Sequence, residues 1–192
     1  MKYNIIGDIH GQSKWKELII PDAVNIFVGD YFSPYFLIPF HEQKDNFLYI
    51  IEYKQSNPDN VILLLGSHDL EYFYTAECYS RHDDFNEDKI KELFDNNLEY
   101  FLMAYSIDNK VLVTHAGVTN QWLDKVLRLT DTYNFLVDPN NVSSVINTAF
   151  ISSKDNQDLT SLFEFHSNAA KWDYSGESST QSCVWIRPWI LR

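Results

Sequence analysis

Four short segments of this 192-residue chain set ionisable side chains directly after an apolar run: Asp8-Ile9-His10-Gly11, Gly29-Asp30, Gly66-Ser67-His68-Asp69 and Thr114-His115-Ala116-Gly117. Aspartate and histidine together offer both oxygen and nitrogen donors. That mixture suits divalent transition ions such as Mn, Fe, Zn or Ni, whereas an all-oxygen set would have favoured Mg or Ca. A lone Asp-x-His is equally well explained as a polar turn. With Asp30, His68 and His115 at three other run ends, coincidence would have to be repeated four times, and metal chemistry becomes the better reading. Asp69 also has an ordinary reading, because aspartate commonly caps a helix N-terminus.

Side chains this short converge only if the backbone brings them together. The apolar runs at residues 3–6, 26–28 and 61–65 are closed by Gly7, Gly29 and Gly66 and read as buried strands. Helical spacing over residues 14–20 and 45–55 separates them, so strand and helix alternate and a largely parallel sheet in an α/β fold follows. In open α/β sheets, ligand sites form at the carboxyl ends of the strands, which puts the clusters on one rim. Tight glycine turns allow the approach.

Further along, residues 86–103 read as one amphipathic helix through Ile90, Leu93, Phe94, Leu98, Phe101 and Leu102. Asp108-Asn109 between residues 105–107 and 111–114 predicts a β-hairpin. Helices are expected over 119–128, 142–151 and 159–170, a polar loop over 171–181 and a last strand over 183–186.

The segments Gly7-Asp8-Ile9-His10-Gly11, Gly29-Asp30-Tyr31, Gly66-Ser67-His68-Asp69 and His115-Ala116-Gly117, in this order, resemble the calcineurin-like metallophosphoesterases. The nearest likeness is to the phosphoprotein phosphatase branch, which includes bacterial dinucleoside-tetraphosphate hydrolases. The resemblance covers roughly the first 120 residues well, and four ordered motifs are more specific than any one. It implies an α-β-β-α sandwich, with this chain supplying most of the first sheet and an incomplete second one. It also implies roles. Asp8, His10 and Asp30 match the ligands of a first ion, with Asp30 bridging to a second; His115 matches a ligand of the second. His68 matches the histidine that protonates or orients the leaving group, with Asp69 beside it as the other catalytic candidate. Manganese is the first cofactor choice, with iron, zinc or nickel as alternatives. The implied activity is hydrolysis of a phosphate ester by attack of a metal-activated water. The substrate would be a phosphoprotein, a dinucleoside polyphosphate or a small phosphate ester. Trp185-Ile186-Arg187-Pro188 echoes a late segment of bacterial relatives and makes Arg187 a substrate-binding candidate.

The departures from the family pattern bear on activity. Ser67 stands where the family has an asparagine, so a shorter hydroxyl replaces an amide carbonyl ligand and the second ion should be held weakly. Ser33 and Pro34 occupy the places of an aspartate and an arginine that support the catalytic histidine and clamp phosphate. The family's late Gly-His segment has no match before Arg192. The alternative function is therefore an impaired member of the fold acting as a binding module. An uncovered sheet edge in such a chain would invite self-association, so a homo-oligomer is a candidate partner state.

Composition narrows the rest. With 45% hydrophobic and 16% aromatic residues there is material for a core, and the length suits a single domain over 1–192. A net charge of −12 argues against nucleic acid as the main partner. Cys78 and Cys183 form no metal or disulfide framework, which fits a reduced, cytoplasmic chain. The opening MKYNIIGD has no room for a signal or membrane segment. His166 reads as a hydrogen-bonded core histidine, with a substitute metal ligand as the sharper alternative. His41 and His82 read as solvent-facing and without a role, although Arg81-His82 could border a phosphate site after the His68 loop. The aromatic residues over 31–40 and 70–74 read as core packing, or else as an apolar rim above the site.

Overall fold

The structure, a computed structural model, describes residues 1–73, 81–135, 138, 140–153, 156, 160–164 and 175–191. Cys78, His166 and most of the helix expected at 159–170 lie outside the described residues. Two compact units, Met1–Leu102 and Met103–Arg192, make up the chain.

The first unit is built on a four-stranded parallel sheet in the order β1-β2-β3-β4. Its elements are β1 (Tyr3–Ile6), α1 (Trp15–Leu18), β2 (Val24–Phe27), α2 (Phe40–Ser56), β3 (Val61–Leu64), α3 (Ser67–Leu70), α4 (Glu87–Asp95) and β4 (Phe101–Leu102). β2 and β3 are buried along their whole length, as short apolar runs inside a parallel sheet must be. β1 is an edge strand, so its Ile5 is exposed although the run that contains it was expected to be buried throughout. α2 starts at Phe40, earlier than its periodicity indicated, because Pro39 presets the entry to the helix and removes an N–H that would lack a partner.

The helix expected over 86–103 ends at Asp95. Asn96 and Asn97 have low helix propensity, and the Asn97 side chain turns back to the Leu93 carbonyl at 2.8 Å. A 3₁₀ turn over Leu98–Tyr100 then delivers Phe101 and Leu102 as β4, paired in parallel with Leu63 and Leu64. Tyr31, Phe32, Phe47, Phe94 and Phe101 interlock beside the sheet, with most of their ring centroids between 5.1 and 6.4 Å apart. The buried Tyr31 hydroxyl donates to the Leu64 carbonyl at 3.0 Å. The aromatic run thus divides: Tyr31 and Phe32 are core, whereas Tyr35, Phe36 and Leu37 are exposed.

The second unit opens with the expected hairpin, β5 (Tyr105–Ile107) paired antiparallel with β6 (Val111–Val113). Asp108 and Asn109 both have positive φ, 51° and 52°, the mirrored turn that matches strand twist. α5 (Asn120–Thr132) is capped by the Thr119 hydroxyl, which accepts the Trp122 N–H at 3.1 Å. α6 (Val142–Ser153) is tied to the start of β5 by Asn147, whose side chain accepts from the N–H groups of Met103 and Ala104 at 2.8 and 3.0 Å. The strand expected at 183–186 is a turn, closed by the Trp185 N–H on the Ser182 carbonyl at 3.0 Å. A parallel sheet and a small antiparallel one make this a mixed α/β protein. No helix among the described residues is long and apolar enough to cross a membrane.

Candidate metal centre

β1, β2 and β3 each release the chain at the same edge of the sheet, and the loops that follow are bonded to one another through the main chain. The His10 N–H donates to the Asp30 carbonyl at 2.6 Å, and the Gly11 N–H to the Tyr31 carbonyl at 2.9 Å. His10 and Asp30 both sit at positive φ, 45° and 56°. Such a conformation costs a non-glycine residue of order 1–3 kcal/mol and persists only where neighbouring bonds impose it. Gly29, with φ of 111°, has no alternative: a Cβ there would lie 2.2 Å from the Gly66 nitrogen. The loops after β2 and β3 therefore touch backbone to backbone.

This frame turns three donors towards one point. The His10 Nδ1 lies 3.1 Å from the Phe32 carbonyl. A carbonyl can only accept, so Nδ1 carries the proton and Nε2 presents a lone pair. That Nε2 faces Asp8 Oδ2 at 3.9 Å and Asp30 Oδ2 at 3.8 Å. One ligand atom from each of Asp8, His10 and Asp30 lies within 4.8 Å of the others. His10 Nε2 is buried and has no hydrogen-bond partner among the described residues, and burial holds the imidazole pKa below its ordinary value, favouring the neutral ligand form. A buried lone pair flanked by two carboxylates is repulsive unless a cation stands among them. The residues present therefore fit a divalent ion.

The next layer fixes Asp30. Its Oδ1 accepts the His68 N–H at 2.8 Å, and the Ser67 hydroxyl also hydrogen-bonds this carboxylate. Asp69 is fully buried and spends its carboxylate on three N–H groups: Asp30 at 2.7 Å, Tyr31 at 2.8 Å and Gly66 at 2.8 Å. It braces two loops and positions the ligands. Burial, first, and the nearness of another carboxylate raise both Asp30 and Asp69 above the usual aspartate range.

His68 is buried beside His10, their ring centroids 5.4 Å apart. Glu71 Oε1 approaches its Nδ1 at 3.6 Å, and Arg81 Nη2 its Nε2 at 3.1 Å. Glu71 had no place in the sequence reading, although its i,i+3 spacing from His68 in a helical turn was a usable signal. His82 corrects an expectation. Its side chain is buried, not solvent-facing, stacked on Tyr72 at 4.7 Å with Nδ1 3.4 Å from Glu71 Oε2. His41 is exposed as expected.

The structure brings Asp8, His10, Asp30, Ser67, His68 and Asp69 together in the first unit. His115 and Arg187 belong to the second. His115 is half-buried just beyond β6, where the Ala116 N–H donates to the Cys183 carbonyl at 2.9 Å. Arg187 is exposed, with Nε donating to the Ser175 carbonyl at 3.1 Å.

A parallel α/β sheet carrying a cluster of two carboxylates and an imidazole at its carboxyl edge defines the class: an α/β protein with a candidate divalent-metal site. A family profile described as calcineurin-like phosphoesterase matches residues 1–184. The chain belongs to that family, whose general chemistry is metal-dependent hydrolysis of phosphate esters.

Proposed function

We propose that this chain is a phosphoric ester hydrolase of the phosphoprotein phosphatase branch. It works with manganese, or with iron, zinc or nickel in its place, in a reducing cytoplasmic setting. The observation that carries the reading is the buried His10 Nε2, which has no hydrogen-bond partner among the described residues and faces Asp8 and Asp30 at 3.9 and 3.8 Å. Phosphoproteins, dinucleoside polyphosphates and small phosphate esters all present the phosphoryl group this site would take.

A bound ion supplies Lewis acidity at phosphoryl oxygens and a more acidic water for in-line attack. Asp8, His10 and Asp30 would hold it. Asp69 keeps Asp30 aimed, and His68 serves the leaving oxygen from the loop after β3. A second reading, a binding module with one ion and no turnover, is favoured by Ser67, whose hydroxyl is engaged with Asp30 where a longer amide would supply a carbonyl ligand.

The test is to strip the purified chain with chelator and reload it with Mn. The reloaded chain is then assayed on a chromogenic phosphate ester, a phosphopeptide and a dinucleoside polyphosphate. Turnover should return only with metal, and Asp8→Asn and Asp30→Asn should lose both metal and activity. A metal-loaded chain inert towards all three substrates overturns the hydrolase reading in favour of the second one.

A further inference from the structure

The His68 ring lies between two groups of opposite charge. Arg81 Nη2 is 3.1 Å from His68 Nε2, and a guanidinium can only donate, so Nε2 accepts and the ring proton sits on Nδ1. Nδ1 is the atom that faces Glu71 Oε1 at 3.6 Å. Glu71 is itself buried, with its other oxygen towards His82, so its carboxylate is fixed relative to the ring. Arg81 is held differently. Its guanidinium lies 3.8 Å from the Tyr35 ring centroid, and Tyr35 in turn meets His10 edge-on at 4.6 Å. The residue is exposed, and its charge acts on both Asp30 and His10. A cation is thus stacked on an aromatic platform beside the metal donors, within reach of an incoming anion. Ser33 and Pro34, on the loop after β2, bring no charge to this place.

We propose that Arg81 is the phosphate-binding cation of this site and that Glu71 is the positioning residue that orients His68. As the phosphoryl group enters, the Arg81 guanidinium passes from His68 Nε2 to the phosphoryl oxygens, a bidentate exchange suited to its planar fork. His68 Nε2 is thereby freed to take up a proton released by the attacking water and pass it to the leaving oxygen, while Glu71, facing Nδ1–H, keeps the ring from turning. The proposal rests on the hydrolase reading for its chemistry, but the two roles are readable without turnover.

Two measurements test it. In the zinc-loaded chain, titration with inorganic phosphate should show affinity at least about tenfold weaker for Arg81→Gln, partly recovered in Arg81→Lys, with metal content unchanged. In the metal-free chain, imidazole nitrogen NMR should show His68 protonated at Nδ1 with Nε2 accepting. Glu71→Gln should shift that tautomer balance. If turnover is found, Glu71→Gln should lower kcat about tenfold or more on an alkyl phosphate, barely on p-nitrophenyl phosphate, with KM unchanged in both. A merely structural loss would lower both rates alike. An unchanged phosphate affinity in Arg81→Gln overturns the Arg81 role, and a His68 protonated at Nε2 in the unsubstituted chain overturns the Glu71 role. An inert chain that passes both measurements refutes only the hydrolase reading.

Discussion

The Asp69 carboxylate accepts the backbone N–H of Asp30 at 2.7 Å across 39 residues of sequence, so the direction of one metal donor is set by a side chain on another loop. Removing it in Asp69→Ala leaves three buried N–H groups without an acceptor. At about 1–3 kcal/mol for each unsatisfied group, the loss of stability should be about 3 kcal/mol or more. Urea unfolding measures it, and a change below about 1 kcal/mol would mean that the brace is dispensable.

Asp8→Asn should behave in the opposite way. The Asp8 side chain is 48% exposed and faces the His10 lone pair, so its amide variant should unfold at nearly the same urea concentration while binding far less Mn. Elemental analysis after dialysis reads the second effect. Equal metal in both proteins would remove Asp8 from the donor set.

One ion per chain should dominate. Three donors converge in the first unit, whereas Ser67 is already bonded to Asp30 and offers no carbonyl to a second ion. Anomalous scattering from crystals soaked in excess Mn counts the ions directly. Two fully occupied sites within about 4 Å, the spacing used in two-metal hydrolysis, would contradict this.

The metal-free chain should lose stability as pH rises through neutrality. Asp30 and Asp69 are raised from the usual carboxylate range to about 7 in the folded state. Between those limits these two carboxyls bind more protons folded than unfolded, which outweighs the opposite contribution of the single lowered His10, so stability is greatest below the window and declines towards its upper end. An ion between the carboxylates favours their charged forms and should flatten the slope, as should Asp30→Asn. Unfolding of chelator-treated and Mn-loaded protein at pH 5 and pH 7.5 compares the two. A metal-free chain that gains stability over this range would refute the argument.

Cys183 should resist alkylation in the native chain at pH 8. Complete burial raises its thiol to about 12, leaving neither access nor thiolate. Iodoacetamide labelling followed by mass spectrometry should modify it only after unfolding. Rapid labelling of the folded chain would show that the second unit opens readily.

The donors Asp8, His10 and Asp30 were legible because each follows a short apolar run and a glycine, a local pattern that parallel strands turn into a shared edge. The hairpin was legible for a similar reason, since Asp108-Asn109 carries its own turn geometry. Where one residue set serves two periods, sequence alone misled: Leu98, Phe101 and Leu102 continue a helical stripe, yet Phe101 and Leu102 pair with β3. His82 misled because its polar neighbours Arg81, Asp83 and Asp84 conceal the aromatic face of Tyr72 that buries it. That Glu71 and Arg81 approach the same histidine is a fact of folding, visible only once the turn after β3 is closed.

The contact between Gly29 and Gly66 has a consequence for which ions the site accepts. The loops after β2 and β3 abut through main-chain atoms, and the His10 N–H is bonded to the Asp30 carbonyl, so the backbone holds His10 and Asp30 side by side while Asp8 stands at the half-open side. Calcium needs six to eight oxygen donors at about 2.3–2.6 Å and a pliant cage to supply them. A three-donor notch that includes a nitrogen falls short of that number, so Ca should load this chain far less readily than Mn, a difference that dialysis and elemental analysis would read.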